Sequence, residues 1–236
     1  MRLIKKCIHY FTPIERALWC SSVVMILFSF FLFDKRDYYT LVASLIGVTS
    51  LILCAKGNPI GQILMIIFSI FYGIISFSFR YYGEMITYLG MTLPMSIFAL
   101  VSWLKNPYNG NKSEVKIDHL RKKDVFLIFL LAFIISGIFY FILKFFNTAN
   151  LLFSTISVST SFLAAALTFK RSPYYALAYA ANDIILIVLW VLATITTPAY
   201  LSVVICFIVF LINDLYGFFN WRCMQKRQTN NQNTTV

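Results

Sequence analysis

The sequence predicts an all-α integral membrane protein with eight transmembrane helices, and three observations carry that prediction. First, 60% of its 236 residues are hydrophobic and only 12% are charged, at a mean hydropathy of +0.78. No soluble domain of this size needs so much apolar surface. Second, the chain divides into eight apolar runs close to the roughly 20 residues that cross a hydrocarbon core of about 30 Å. Third, the basic residues are partitioned. Eight spans put both termini on one side, and of the 20 Lys and Arg residues only Lys35, Arg36, Arg80 and Lys144 fall on the other. The positive-inside bias then places both termini in the cytoplasm of a cell-membrane protein, and dropping any span would scramble the bias.

The elements follow in order. Ala17–Phe33 is preceded by basic residues but lacks a small-residue cleavage site before Asp34–Asp37, so it is read as a retained helix and not as a leader. The later spans are Leu41–Ala55, Ile60–Phe79, Met85–Leu104, Val125–Leu143, Leu151–Phe169, Tyr174–Ala193 and Ala199–Asn220. Glu84 follows Arg80 at i+4 and is read as its partner at a helix start. The polar stretch Asn106–Asp124 is a connecting loop, and the tail Thr229–Val236 is expected to be disordered. Trp103 and Trp221 end their helices beside basic residues, the pattern of interfacial belt residues.

The two halves echo each other. Lys56–Pro59 reads KGNP and Lys170–Pro173 reads KRSP; each opens a helix, a turn and a further helix ending in Trp103 or Trp221. Upstream of each lies a small-residue segment, Val48–Ser50 or Val158–Thr160, whose hydroxyls are read as packing groups satisfied on their own backbone carbonyls. The expected organisation is residues 1–37 (N-terminus and extra first helix), 38–105 (first three-helix unit), 106–145 (loop and linker helix), 146–222 (second unit) and 223–236 (tail). Three helices plus one linker give parallel repeats, a transporter plan with substrate at the repeat interface.

Charge and cysteine usage exclude other classes. The net charge of +11 is accounted for by the loops, so no nucleic-acid partner is expected. Cys7, Cys20, Cys54, Cys206 and Cys223 are scattered and odd in number, which reads as buried, inert thiols without a disulfide framework. His9 and His119 stand alone in polar stretches, and the chain has no GxxxxGK[ST], HExxH or GxSxG run. Neither a cofactor nor an enzymatic activity is expected.

The informative residues are the polar ones inside the spans. Asn182–Asp183 and Asn213–Asp214 lie well within hydrocarbon depth: Asp183 is about 15 Å past Pro173 and Asp214 about 10 Å before Trp221 at roughly 1.5 Å per residue. An Asp near a helix centre costs roughly 2.5–3.5 kcal/mol on an insertion scale, so each must be bonded to a neighbouring helix or face a hydrated, ligand-binding cavity. Tyr175, Tyr179, Asn182 and Leu186 share one helical face, and Asn213, Tyr216, Gly217 and Asn220 share another. With Pro59 placed on Pro173, Phe68 falls opposite Asn182 and Ser69 opposite Asp183. The first half therefore offers weaker candidates, Gln62, Tyr72 and Tyr88.

Three stretches, Leu41–Pro107, Ser172–Trp190 with its SPYYALAYAAND, and Ile212–Trp221 reading INDLYGFFNW, resemble the PnuC family of nicotinamide riboside transporters. The YGEM segment (Tyr82–Met85), Asn182 and the Tyr216, Gly217, Trp221 ending carry the likeness. The resemblance implies a 3+1+3 core of seven helices, similar in plan to the SWEET transporters, with one extra N-terminal helix and commonly a homotrimer. It also implies facilitated diffusion with trapping by cytoplasmic phosphorylation. The family's binding Asn maps onto Asn182, and its site uses the helix beginning at YGEM, which here holds Tyr88. Relatives carry thiamine or riboflavin, so the vitamin stays open at this point. Acidic residues and tyrosine faces suit a cationic vitamin. Proton-coupled symport through Asp183 or Asp214, and a non-transporting membrane scaffold, are the other readings that the residues allow.

Overall fold

The computed structural model describes residues 10–35, 37–78, 82–195 and 197–233. Cys7, His9 and the expected Arg80–Glu84 pair lie outside the described residues and side chains. The helices are α1 (Pro13–Ser29, continued as a π turn over Phe30–Asp34), α2 (Tyr38–Ala55), α3 (Pro59–Ser78) and α4 (Tyr82–Ile86). A π segment over Thr87–Thr92 leads into α5 (Leu93–Lys105), and α6 (Lys122–Phe145), α7 (Leu151–Phe169), α8 (Tyr174–Thr194) and α9 (Leu201–Asn233) follow. Eight helices among the described residues are long and apolar enough to cross a membrane, as the apolar runs predict.

Six helices form a ring. α2 packs on α3, α3 on α5, α5 on α7, α7 on α8, α8 on α9, and α9 returns to α2. α6 lies outside the ring against α7, and α1 lies outside it against α9 and α2. Membrane-embedded helices gain little from apolar contact alone and associate through close packing and hydrogen bonds. α1 shows this. Thr12 caps it in a capping box with Glu15, whose buried carboxylate takes Lys56 Nζ at 2.9 and 3.1 Å and the Tyr216 hydroxyl at 3.2 Å.

The echo of KGNP and KRSP is structural. Gly57 (φ 67°) and Arg171 (φ 53°) both turn left-handed, and the next amides, Asn58 and Ser172, donate to Leu53 and Leu167 at 3.0 Å. Here the sequence reading of the tryptophans needs correction. Neither lies in an interfacial belt: both are fully buried, and each donates across to the other unit's first helix, Trp103 to the Thr168 carbonyl and Trp221 to the Cys54 carbonyl, each at 2.9 Å. Their rings pack at 5.4 Å. The indole N–H needs an acceptor inside the bundle, and the carbonyls freed where α2 and α7 end supply it.

Two further expectations change. The loop after α5 contains a hairpin, β1 (Pro107–Tyr108) with β2 (Asn111–Val115), closed by Asn109 and Gly110 at positive φ. Asn-Gly is the pair that such a two-residue turn favours. The tail is helical as far as Asn233, because the hairpin holds it: Gln228 accepts from the Ile117 amide at 2.9 Å and donates to the Val115 carbonyl at 3.1 Å, and Arg227 pairs with Glu114. Of the described cysteines, Cys54 and Cys206 are buried as expected, whereas Cys20 and Cys223 are exposed.

Candidate functional site

Five of the six ring helices, and the π segment that leads into the sixth, α5, line one cavity of about 140 Å³, room for about five waters. α2 supplies Gly47 and Leu51, and α3 supplies Phe68 and Tyr72. The π segment supplies Thr87, Tyr88 and Thr92; its widened turn brings residues five apart onto one face, with Thr92 Oγ1 donating to the Thr87 carbonyl at 3.2 Å. α7 supplies Ser154, Ser157 and Ser161, α8 supplies Tyr179, Asn182, Asp183 and Trp190, and α9 supplies Phe207, Phe210 and Asp214.

The walls differ in chemistry. On the first unit's side the rings of Phe68, Tyr72 and Tyr88 form a cluster, with centroids 4.8 Å apart for Phe68–Tyr72 and 4.9 Å for Tyr72–Tyr88. Phe68 occupies the position equivalent to Asn182 and packs beside Gly47, where a Cβ would lie 3.1 Å from its ring and 2.7 Å from Phe210. On the second unit's side Asn182 Oδ1 accepts from the Ser157 hydroxyl at 3.1 Å and lies 2.8 Å from Thr160 Oγ1, whose proton the Ile156 and Ser157 carbonyls also reach at 3.0 Å. Asp183 and Asp214 interact through their carboxyl groups, and Asp183 Oδ2 is sealed without a hydrogen-bond partner among the described residues. The cavity thus sets an aromatic cluster on the first unit's side against Asn182 and the two carboxyls on the second unit's, with Trp190, Phe207 and Phe210 adding further rings, which suits a flat ring with polar substituents.

Of the residues singled out from sequence, Tyr72, Tyr88, Tyr179, Asn182, Asp183 and Asp214 line this cavity. The structure places the other four elsewhere. Gln62 is buried and donates to Cys54 Sγ at 3.3 Å. Tyr175 lies below Tyr179 with its ring 4.8 Å from Trp221. Asn213 donates to Ser22 of α1 at 2.9 Å, and Tyr216 reaches Glu15 of α1. Asn213 and Tyr216 of α9 thus face the extra helix, one step round from the cavity-lining Asp214, while Asn220 donates to the Ala55 carbonyl at the end of α2 at 2.8 Å.

Sequence reasoning passed over Phe68, Trp190, Ser157 and Thr160. Thr160 does approach the Ile156 carbonyl at 3.0 Å, as a packing hydroxyl would, but it also reaches Asn182. Its place in a small-residue segment one helix away from the Asn was the available signal.

Residues 37–223 match the model of a family described as nicotinamide mononucleotide transporter. The chain is 23% identical over 217 residues to a nicotinamide riboside transporter PnuC of Neisseria mucosa, covering 90% of this chain and 82% of that one. It is 21% identical over 227 residues to the PnuC of Haemophilus influenzae, covering 96% and 97%. A crystal structure of the vitamin B3 transporter PnuC superposes with a TM-score of 0.78 at 21% identity, over 92% of this chain and 94% of the other.

Proposed function

Because the chain belongs to the nicotinamide mononucleotide transporter family, we propose that it is a multi-pass membrane transporter that imports nicotinamide riboside. The observation that carries this reading is the cavity at the centre of the helix ring, with Asn182 set against the Phe68, Tyr72 and Tyr88 rings. The riboside has a flat pyridinium ring bearing a carboxamide. Tyr72 and Tyr88 offer faces for a cationic ring, Asn182 offers its amide to the substituent, and the paired Asp183 and Asp214 carboxyls, which can carry at most one negative charge between them, lie nearby.

In this reading transport is facilitated diffusion, and phosphorylation in the cytoplasm traps the riboside. The face carrying both termini is cytoplasmic, by the partition of Lys and Arg, and in this reading of an importer the membrane is the plasma membrane. The working assembly is a homotrimer, as the resemblance implies. A second reading, proton-coupled symport, is favoured by one observation, the interacting Asp183 and Asp214 carboxyls at the cavity.

The test is uptake of radiolabelled nicotinamide riboside into proteoliposomes. Asn182→Ala should abolish saturable uptake while the protein still purifies as the wild-type assembly. Uptake of riboflavin or thiamine with none of nicotinamide riboside would overturn the substrate. Uptake that collapses when the pH gradient is dissipated would favour symport over diffusion.

A further inference from the structure

Resting on the reading of the chain as a riboside transporter, we propose that Ser157 and Thr160 are positioning residues: they fix the orientation of the Asn182 amide so that it donates to the carbonyl oxygen on the substrate's ring. A side-chain amide has one oxygen with two lone pairs and one nitrogen with two hydrogens, and it can present either end to a ligand. In this cavity the choice is made by the neighbouring helix. Ser157 Oγ of α7 donates to Asn182 Oδ1 at 3.1 Å, and Thr160 Oγ1, 2.8 Å from the same oxygen, shares its one proton between it and the Ile156 and Ser157 carbonyls, each at 3.0 Å. Ser157 has no other acceptor among the described residues, so its proton holds the amide oxygen toward α7, with Thr160 beside it, and the nitrogen is the end left toward the cavity.

The nitrogen is in the opposite situation. Asn182 is 6% exposed and lines the cavity, yet its Nδ2 meets no acceptor among the described residues. Nor is it sealed off: the sealed, unpartnered atoms are Asp183 Oδ2 and Asn213 Oδ1. The Asn182 NH₂ is therefore open to the cavity, and a buried donor facing a site demands an acceptor from whatever fills it. Across the cavity stand Phe68, Tyr72 and Tyr88, against which a flat ring packs with its substituent toward α8. The first unit has no equivalent clamp, since Phe68 stands at the Asn182 position. The carboxamide then has one donor directed at its carbonyl, which sets the orientation of the ring.

The clamp makes a prediction that a merely structural role does not. Binding to the purified protein is measured by titration calorimetry for two ligands: nicotinamide riboside, and the pyridinium riboside in which hydrogen replaces the carboxamide. The Ser157→Ala/Thr160→Val double variant should bind nicotinamide riboside roughly tenfold more weakly, the scale of one lost hydrogen bond. The analogue should bind the variant and the wild type equally. Thr160→Val alone should show a smaller loss in the same direction, which keeps the test available if the double variant does not fold, and Thr160→Ser should restore wild-type affinity. Equal losses for both ligands, or unchanged affinity for nicotinamide riboside, would overturn the clamp. A wild-type protein that binds neither ligand would overturn the riboside reading itself, and the clamp's stated partner with it.

Discussion

Gly47 sets the width of the cavity, because any side chain there would enter the space between Phe68 and Phe210. Forcing a residue into packed rings costs roughly 1–3 kcal/mol. Gly47→Leu should therefore weaken nicotinamide riboside binding about tenfold or more, read by calorimetry, while the purified protein elutes as the wild type does. At this scale the site was half legible. Asn182 and Asp183 stand out because polar groups at hydrocarbon depth need a reason. Ser157 and Thr160 do not, because a helical hydroxyl satisfied by the carbonyl four residues back is the default state of Ser and Thr in a membrane, and Thr160 makes that contact too. Phe68 is invisible for the opposite reason: one more aromatic residue in an apolar helix carries no mark of facing a cavity.

The first helix is held by few bonds, and one buried carboxylate anchors several of them. Glu15 is 2% exposed and its charge is balanced by Lys56 alone among the described cations. Removing one partner of a buried ion pair costs roughly 3–5 kcal/mol, whereas replacing both by apolar residues costs far less. Lys56→Met should accordingly lower the melting temperature more than Glu15→Met/Lys56→Met does, in thermal-shift measurements on the purified protein. The existence of every span was legible from hydropathy, and the hairpin's Asn109–Gly110 turn was there to be read. The direction in which α9 points its polar residues was not. A helix that is apolar on all sides has no solvent face to orient it, so Asn213 and Tyr216 fitted a cavity equally well until α1 was seen to meet them. The helical tail was equally hidden, since its order comes from contacts with a hairpin more than a hundred residues earlier in the chain.

Over the whole molecule, the reciprocal Trp103 and Trp221 bonds cross-brace the two units at the face that carries the termini. Trp103→Phe and Trp221→Phe each remove one buried N–H donor, worth about 1 kcal/mol. They should lower thermal stability by similar amounts. Because the two rings touch, their effects should not add in the double variant. The parallel repeats were legible in KGNP and KRSP, yet the ring they build was not, because which helices touch is decided by close packing that apolar composition does not encode. α9 runs through all of this: it lines the cavity with Phe210 and Asp214, carries Trp221 and ends against the hairpin at Gln228. Its 33 residues extend about 50 Å as one continuous helix, with about 20 Å between Asp214 and Gln228. Such a rod is a lever. Tilted by 5° at the cavity, it would displace Cys223, about 14 Å along, by about 1 Å, so a fluorophore on that exposed thiol, with the other exposed thiol, Cys20, replaced by Ser, would register from outside the bundle whether the cavity is filled.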